Sequence, residues 1–113
     1  MLSILLNIAF AGITQTIKPE DAAKHVGQLV TVCGKIFGGK YLESSKGKPT
    51  MLNMGAAYPK QPLTIIIWDD LRSKLHYKPE EKWLNKQVCI SGKVMMYKGK
   101  LEIVIDSEAQ IKG

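Results

Sequence analysis

The sequence is poor in the residues that catalysis and metal binding usually require, with 2 histidines and 2 cysteines among 113 residues. His25 and His76 stand apart from one another, and neither has a ligand at metal spacing, so no zinc or other metal centre is expected. Cys33 and Cys89 form no Cys-x-x-Cys, which removes a thioredoxin-like redox role. The chain also lacks a Gly-x-Ser-x-Gly elbow, a phosphate-binding P-loop and a dinucleotide fingerprint. Its adjacent acidic pairs, Glu20-Asp21, Asp69-Asp70 and Glu80-Glu81, fall where helices are expected to start. Helix capping accounts for them more simply than acid–base chemistry. No catalytic residue and no cofactor is therefore expected, and the chain reads as a binding module. Long hydrophobic runs are missing too, since no stretch reaches the roughly 20 apolar residues of a membrane-spanning helix. Acidic residues are the minority, 10 against 16 Lys plus Arg, so the net charge of +6 favours anionic partners.

What is present begins with a leader. Residues 1–11 are apolar and uncharged and end in Ala9-Phe10-Ala11, a small-x-small pattern, which reads as a secretory signal cleaved after Ala11. An exported, periplasmic or extracellular protein is expected, with one domain over residues 12–113. The segment from Ile17 to Gly27 reads as a short helical turn, with Pro19 suited to a first helical position. β-Branched, alternating sequence then predicts a strand over residues 28–37, with Gly34 suggesting a bulge or sharp bend. Residues 38–49 carry turn formers and predict a mobile basic hairpin loop.

Further strands are predicted over residues 50–55 and 63–68, separated by a turn at Tyr58-Pro-Lys-Gln-Pro62, whose prolines cannot donate to a ladder. A short helix capped by Asp69 or Asp70 follows, broken by Pro79. Residues 87–97 and 101–105 form a final hairpin across Lys98-Gly-Lys100. Val30-Thr-Val-Cys-Gly-Lys-Ile36 also echoes Val88-Cys-Ile-Ser-Gly-Lys-Val94, as two strands bent alike by glycine in a curved barrel would. The fold class is thus all-β, with five strands and a short helix between the third and fourth.

This pattern resembles the OB-fold nucleic-acid-binding domains, in particular the small exported bacterial members of the tRNA-anticodon-domain-like type. The resemblance spans about residues 20–112. It is carried by Gly27-x-x-Val-x-Val-Cys-Gly-Lys-Ile36, Leu52-Asn-Met-Gly55 with Tyr58-Pro-x-x-Pro62, Leu63-Thr-Ile-Ile-Ile-Trp68, and Val88-x-Ile-Ser-Gly-Lys-Val94 followed by Tyr97-Lys-Gly-Lys-Leu-Glu-Ile103. It implies a five-stranded Greek-key barrel binding oligonucleotides or oligosaccharides on the face of its second and third strands, between the first and last hairpins.

On that geometry the expected nucleic-acid-binding residues are Lys40, Lys46 and Lys48 in the first hairpin loop, Lys98 and Lys100 at the last hairpin, and Lys35 and Lys93 after the strand glycines. Tyr41, Tyr58, Trp68 and Tyr97 are the candidate stacking platforms. Trp68 ends an apolar run and Phe37 lies in one, and such aromatics more often belong to a core. Aromatics are 7% of the chain, sparse for a base-stacking surface. The expected partner is single-stranded nucleic acid, and the alternative is a protein or glycan of the cell envelope. Cys33 and Cys89 fall on strands that neighbour each other in such a barrel, which leaves two outcomes, a disulfide or two small thiols.

Overall fold

The computed structural model describes residues 15–113, and the expected signal segment, residues 1–11, lies outside the described residues. The strands are β1 (Gln15–Ile17), β2 (Leu29–Tyr41), β3 (Thr50–Met54), β4 (Leu63–Ile67), β5 (Gln87–Lys93), β6 (Met95–Tyr97), β7 (Lys100–Val104) and β8 (Ile111–Lys112). Two one-turn helices, α1 (Asp69–Arg72) and α2 (Pro79–Lys82), lie between β4 and β5, and 3-10 turns cover Pro19–His25 and Glu108–Gln110. The fold is mostly β and barrel-like.

The sheet order is β6-β7-β4-β3-β2-β5-β8, with β1 added in parallel to β2. Because β5 and β6 are consecutive and separated only by Val94, one run of chain serves two ladders. Its first part pairs antiparallel with β2 and its second part pairs antiparallel with β7. The curl brings β7 alongside β4 in parallel, Thr64 beside Glu102 and Ile66 beside Val104.

Strand alternation decides what fills the interior. In β2, Val30, Val32 and Ile36 are buried while Leu29, Lys35 and Phe37 are exposed. In β5, Val88 and Ile90 are buried and Gln87 and Lys93 exposed. All five residues of β4 are buried, as its uninterrupted apolar run suggests. Leu52, Met54, Leu63, Ile65, Ile67 and Ile103 complete the centre of the core, each contributing about 1.5–3 kcal/mol by leaving water.

The expected hairpin loop is shorter than the turn formers suggest. Gly38 to Tyr41 pair with Thr50 to Asn53, and this ladder outweighs the local turn preference, so Lys40 and Tyr41 sit on a strand. The irregularity expected at Gly34 lies instead between Ile36 and Gly38, where the β2–β3 register shifts. Along β2–β5 the register runs unbroken from Leu29–Lys93 to Lys35–Gln87.

The two glycines of the echoing segments also serve packing. They belong to one antiparallel ladder, Gly34 opposite Val88 and Gly92 opposite Val30. A Cβ at Gly34 would lie 2.5 Å from Pro19 Cγ, and one at Gly92 2.6 Å from Ile103 Cγ2. Each glycine therefore leaves room for a neighbouring element to close on the ladder. Gly92→Ala is expected to lower stability by roughly 1–3 kcal/mol through overpacking, read from urea unfolding, and an unchanged midpoint would contradict this packing.

The single expected mid-chain helix is two separate turns. Pro79 opens the second, where its fixed φ and missing N–H suit a first helical position. β1 and β8 are too short to show a period in the sequence, and they form by adding to the edges of β2 and β5.

Candidate nucleic-acid interface

The outer face of β3, β4 and β7 carries a cleft of about 620 Å³. That volume lies within the roughly 300–1,000 Å³ typical of ligand pockets. The cleft is built where strands leave the sheet. Lys40 comes from the end of β2, Tyr58 from the β3–β4 turn, and Tyr97, Lys98 and Lys100 from the β6–β7 hairpin. Met51 and Asn53, the outward residues of β3, contribute the floor together with Thr64 and Glu102 from the neighbouring β4 and β7.

Tyr58 is 71% and Tyr97 57% exposed, so both side chains are accessible from solvent. The Lys98 ammonium lies 5.3 Å from the Tyr97 ring centroid, which places cation and aromatic platform at the same point. At the hairpin tip Lys98 has φ 50° and Gly99 φ 78°, a left-handed pair that turns the chain in two residues and projects Lys98 outward.

The remaining sequence-predicted residues do not line this cleft. Lys35 and Lys93 are on the outward face of the β2–β5 ladder, Lys35 lying 5.0 Å from the Phe37 ring. Lys46 and Lys48 are exposed in the loop between β2 and β3. Trp68 packs over the backbone of that loop, where a Cβ added to Gly47 would meet its ring at 2.9 Å, yet it remains 43% exposed.

Tyr41 is committed to a structural network. Its hydroxyl donates to Asp69 Oδ1 at 3.0 Å, which raises its pKa above the ordinary value, with burial adding to the effect. The Arg72 guanidinium stacks 3.7 Å above its ring centroid, donates to Thr50 Oγ1 at 2.8 Å, and grips Glu80 with bonds of 2.6 and 3.1 Å. Burial acts to raise the Glu80 carboxyl, but the Arg72 hydrogen bonds and charge outweigh it and hold the group below the usual carboxylate range.

Cys33 and Cys89 face each other across β2–β5 with Cα atoms 4.0 Å apart, and they are joined by a disulfide. Both are on the outward face, as their parity against Val32 and Ile90 requires. Beside them Thr31 Oγ1 and Ser91 Oγ are hydrogen-bonded at 2.9 Å.

Asn53, Gln61, Thr64 and Glu102 were not singled out by sequence reasoning. Glu102 had a readable signal, since it shares parity with Lys100 two residues earlier. Gln61 Nε2 donates to Thr64 Oγ1 at 3.1 Å, while Gln61 Oε1 is buried and has no hydrogen-bond partner among the described residues. Burial alone raises the Glu102 carboxyl above its ordinary value. Among the described residues no three or more His, Cys, Asp or Glu side chains gather as a metal site. No helix among them is long and apolar enough to cross a membrane. No protein-family model and no curated protein matches the sequence.

Proposed function

We propose that this chain is an exported OB-type barrel, without catalytic activity, that binds single-stranded nucleic acid in the cleft over β3, β4 and β7. In this reading the five barrel strands are β2, β3, β4, the joined β5–β6 run and β7, and the two one-turn helices occupy the interval between the third and fourth. The antiparallel pairing of β2 with β5 and the parallel pairing of β4 with β7 support that assignment. The disulfide supports export, because such bonds persist chiefly in oxidising compartments.

One observation carries the ligand reading. Three lysines and two exposed tyrosines from three separate segments converge on a single open cleft. Cations spaced along a rim suit a phosphate backbone, and tyrosine faces suit stacked bases, each worth about 1–3 kcal/mol. Lys40, Lys98 and Lys100 together would neutralise three phosphates, for which a single strand gives a log–log salt slope of about −2.

Titration of a fluorescent 12-nucleotide oligothymidylate at several salt concentrations tests this reading. Binding that weakens with salt, and a slope reduced to about a third in Lys98→Ala/Lys100→Ala, are expected. No binding at low salt removes the proposal and leaves an envelope protein or glycan as the partner to seek.

A further inference from the structure

We infer that the floor of the cleft selects guanine, with the Glu102 carboxylate accepting the donor edge of the base. This inference rests on the single-strand reading above. The rim and the floor of the cleft carry opposite chemistry. Lys40, Lys98 and Lys100 stand at the rim, whereas Glu102 lies within the cleft on β7, beside Thr64 of β4.

The Glu102 carboxylate has no hydrogen-bond or ion-pair partner among the described residues, and only its burial perturbs it. Next to it, Thr64 Oγ1 accepts from Gln61 Nε2, and Gln61 Oε1 is buried without a donor. The Glu102 carboxylate repels phosphate by its charge. It calls for a ligand group rich in N–H.

A strand bound with its phosphates on the lysine rim presents its bases to this floor. Thymine offers one ring N–H, while adenine and cytosine each offer one exocyclic amino group. Guanine alone sets a ring N–H and an amino group on adjacent atoms, matching the two oxygens of a carboxylate. Two parallel charge-assisted bonds are the strong form of such contacts. Discrimination by a good bidentate contact corresponds to about fivefold to hundredfold in affinity.

The experiment compares labelled oligothymidylates that carry one central guanosine or one central inosine. Hypoxanthine keeps the guanine ring N–H and lacks only the amino group. At low salt the guanosine strand should bind at least about fivefold more tightly. In Glu102→Gln the two affinities should converge, because an amide offers one acceptor where the carboxylate offers two. Comparing two ligands on the same variant separates this effect from a loss of folding. Equal binding of both strands by the wild type overturns the guanine inference and leaves the single-strand reading standing, as does a preference that survives Glu102→Gln. Failure of every strand to bind overturns both.

Discussion

Replacing Cys33 and Cys89 together by serine is expected to lower stability by roughly 4 kcal/mol, the loop-closure value for a sequence separation of 56. A domain of this size has on the order of 5–15 kcal/mol in all, so the variant would stand near the edge of folding. With a urea dependence of about 1–3 kcal/mol per molar, the unfolding midpoint should fall by roughly 2 M. The wild type treated with dithiothreitol should follow the variant, since Cys33 borders a second surface groove and is only partly buried. Coincident unfolding curves for the oxidised wild type and the variant would show that the cross-link does not constrain the unfolded chain.

The second large effect belongs to Arg72. Its side chain is 11% exposed and that of Glu80 17%, so the pair is largely withdrawn from water. Arg72→Ala removes the bidentate pair, the bond to Thr50 and the stack on Tyr41, and leaves Glu80 without its partner. A loss of about 2–3 kcal/mol is expected, below the 3–5 kcal/mol of a fully buried pair because some solvent reaches it. Arg72→Lys should recover little, as an ammonium supplies neither the planar fork nor the stacking face.

The pair also sets a pH dependence. The carboxyl of Glu80 has a lower pKa folded than unfolded, so its contribution is complete above the ordinary glutamate value and disappears as pH falls through the folded one. The stability difference between wild type and Glu80→Gln should therefore shrink on acidification. Urea midpoints taken from pH 7 to pH 3 would measure it, and a difference constant over that range would contradict the assignment. Glu102 acts in the opposite sense. Its raised pKa makes the folded state gain from protonation as pH falls through the folded value towards the ordinary one.

Much of this architecture can be read along the chain. The alternation of Val30, Val32 and Ile36 against Cys33, Lys35 and Phe37 marks an inner and an outer face, and the run Leu63–Ile67 marks a strand buried on both sides. Lys40, Tyr58, Tyr97, Lys98 and Lys100, which line the cleft, are legible as candidates because turn formers place them near strand ends. Pairing partners are not legible. Whether Cys33 meets Cys89 depends on a register that a shift of one residue would destroy. That register is set by distant packing, including the fit of Pro19 against Gly34 and of Ile103 against Gly92. Arg72 was invisible for the same reason, since its partners Tyr41, Thr50 and Glu80 come from three different elements. Glu102 and Gln61 escaped notice because single polar residues acquire meaning only when curvature brings them to one floor.

The run through Val94 that joins β5 to β6 bears on how this chain reaches its native state. β2 cannot pair with β5 until the ribosome has delivered some sixty residues more, given registers such as Val30 with Gly92, and β4 waits for β7 in the same way. Before then the β2–β3–β4 meander has apolar faces and open hydrogen-bonding edges. Assembly dominated by such distant partners is slow, in the millisecond-to-second range for all-β topologies. Until those distant partners arrive, the growing chain carries the exposed apolar faces and unpaired strand edges that favour aggregation.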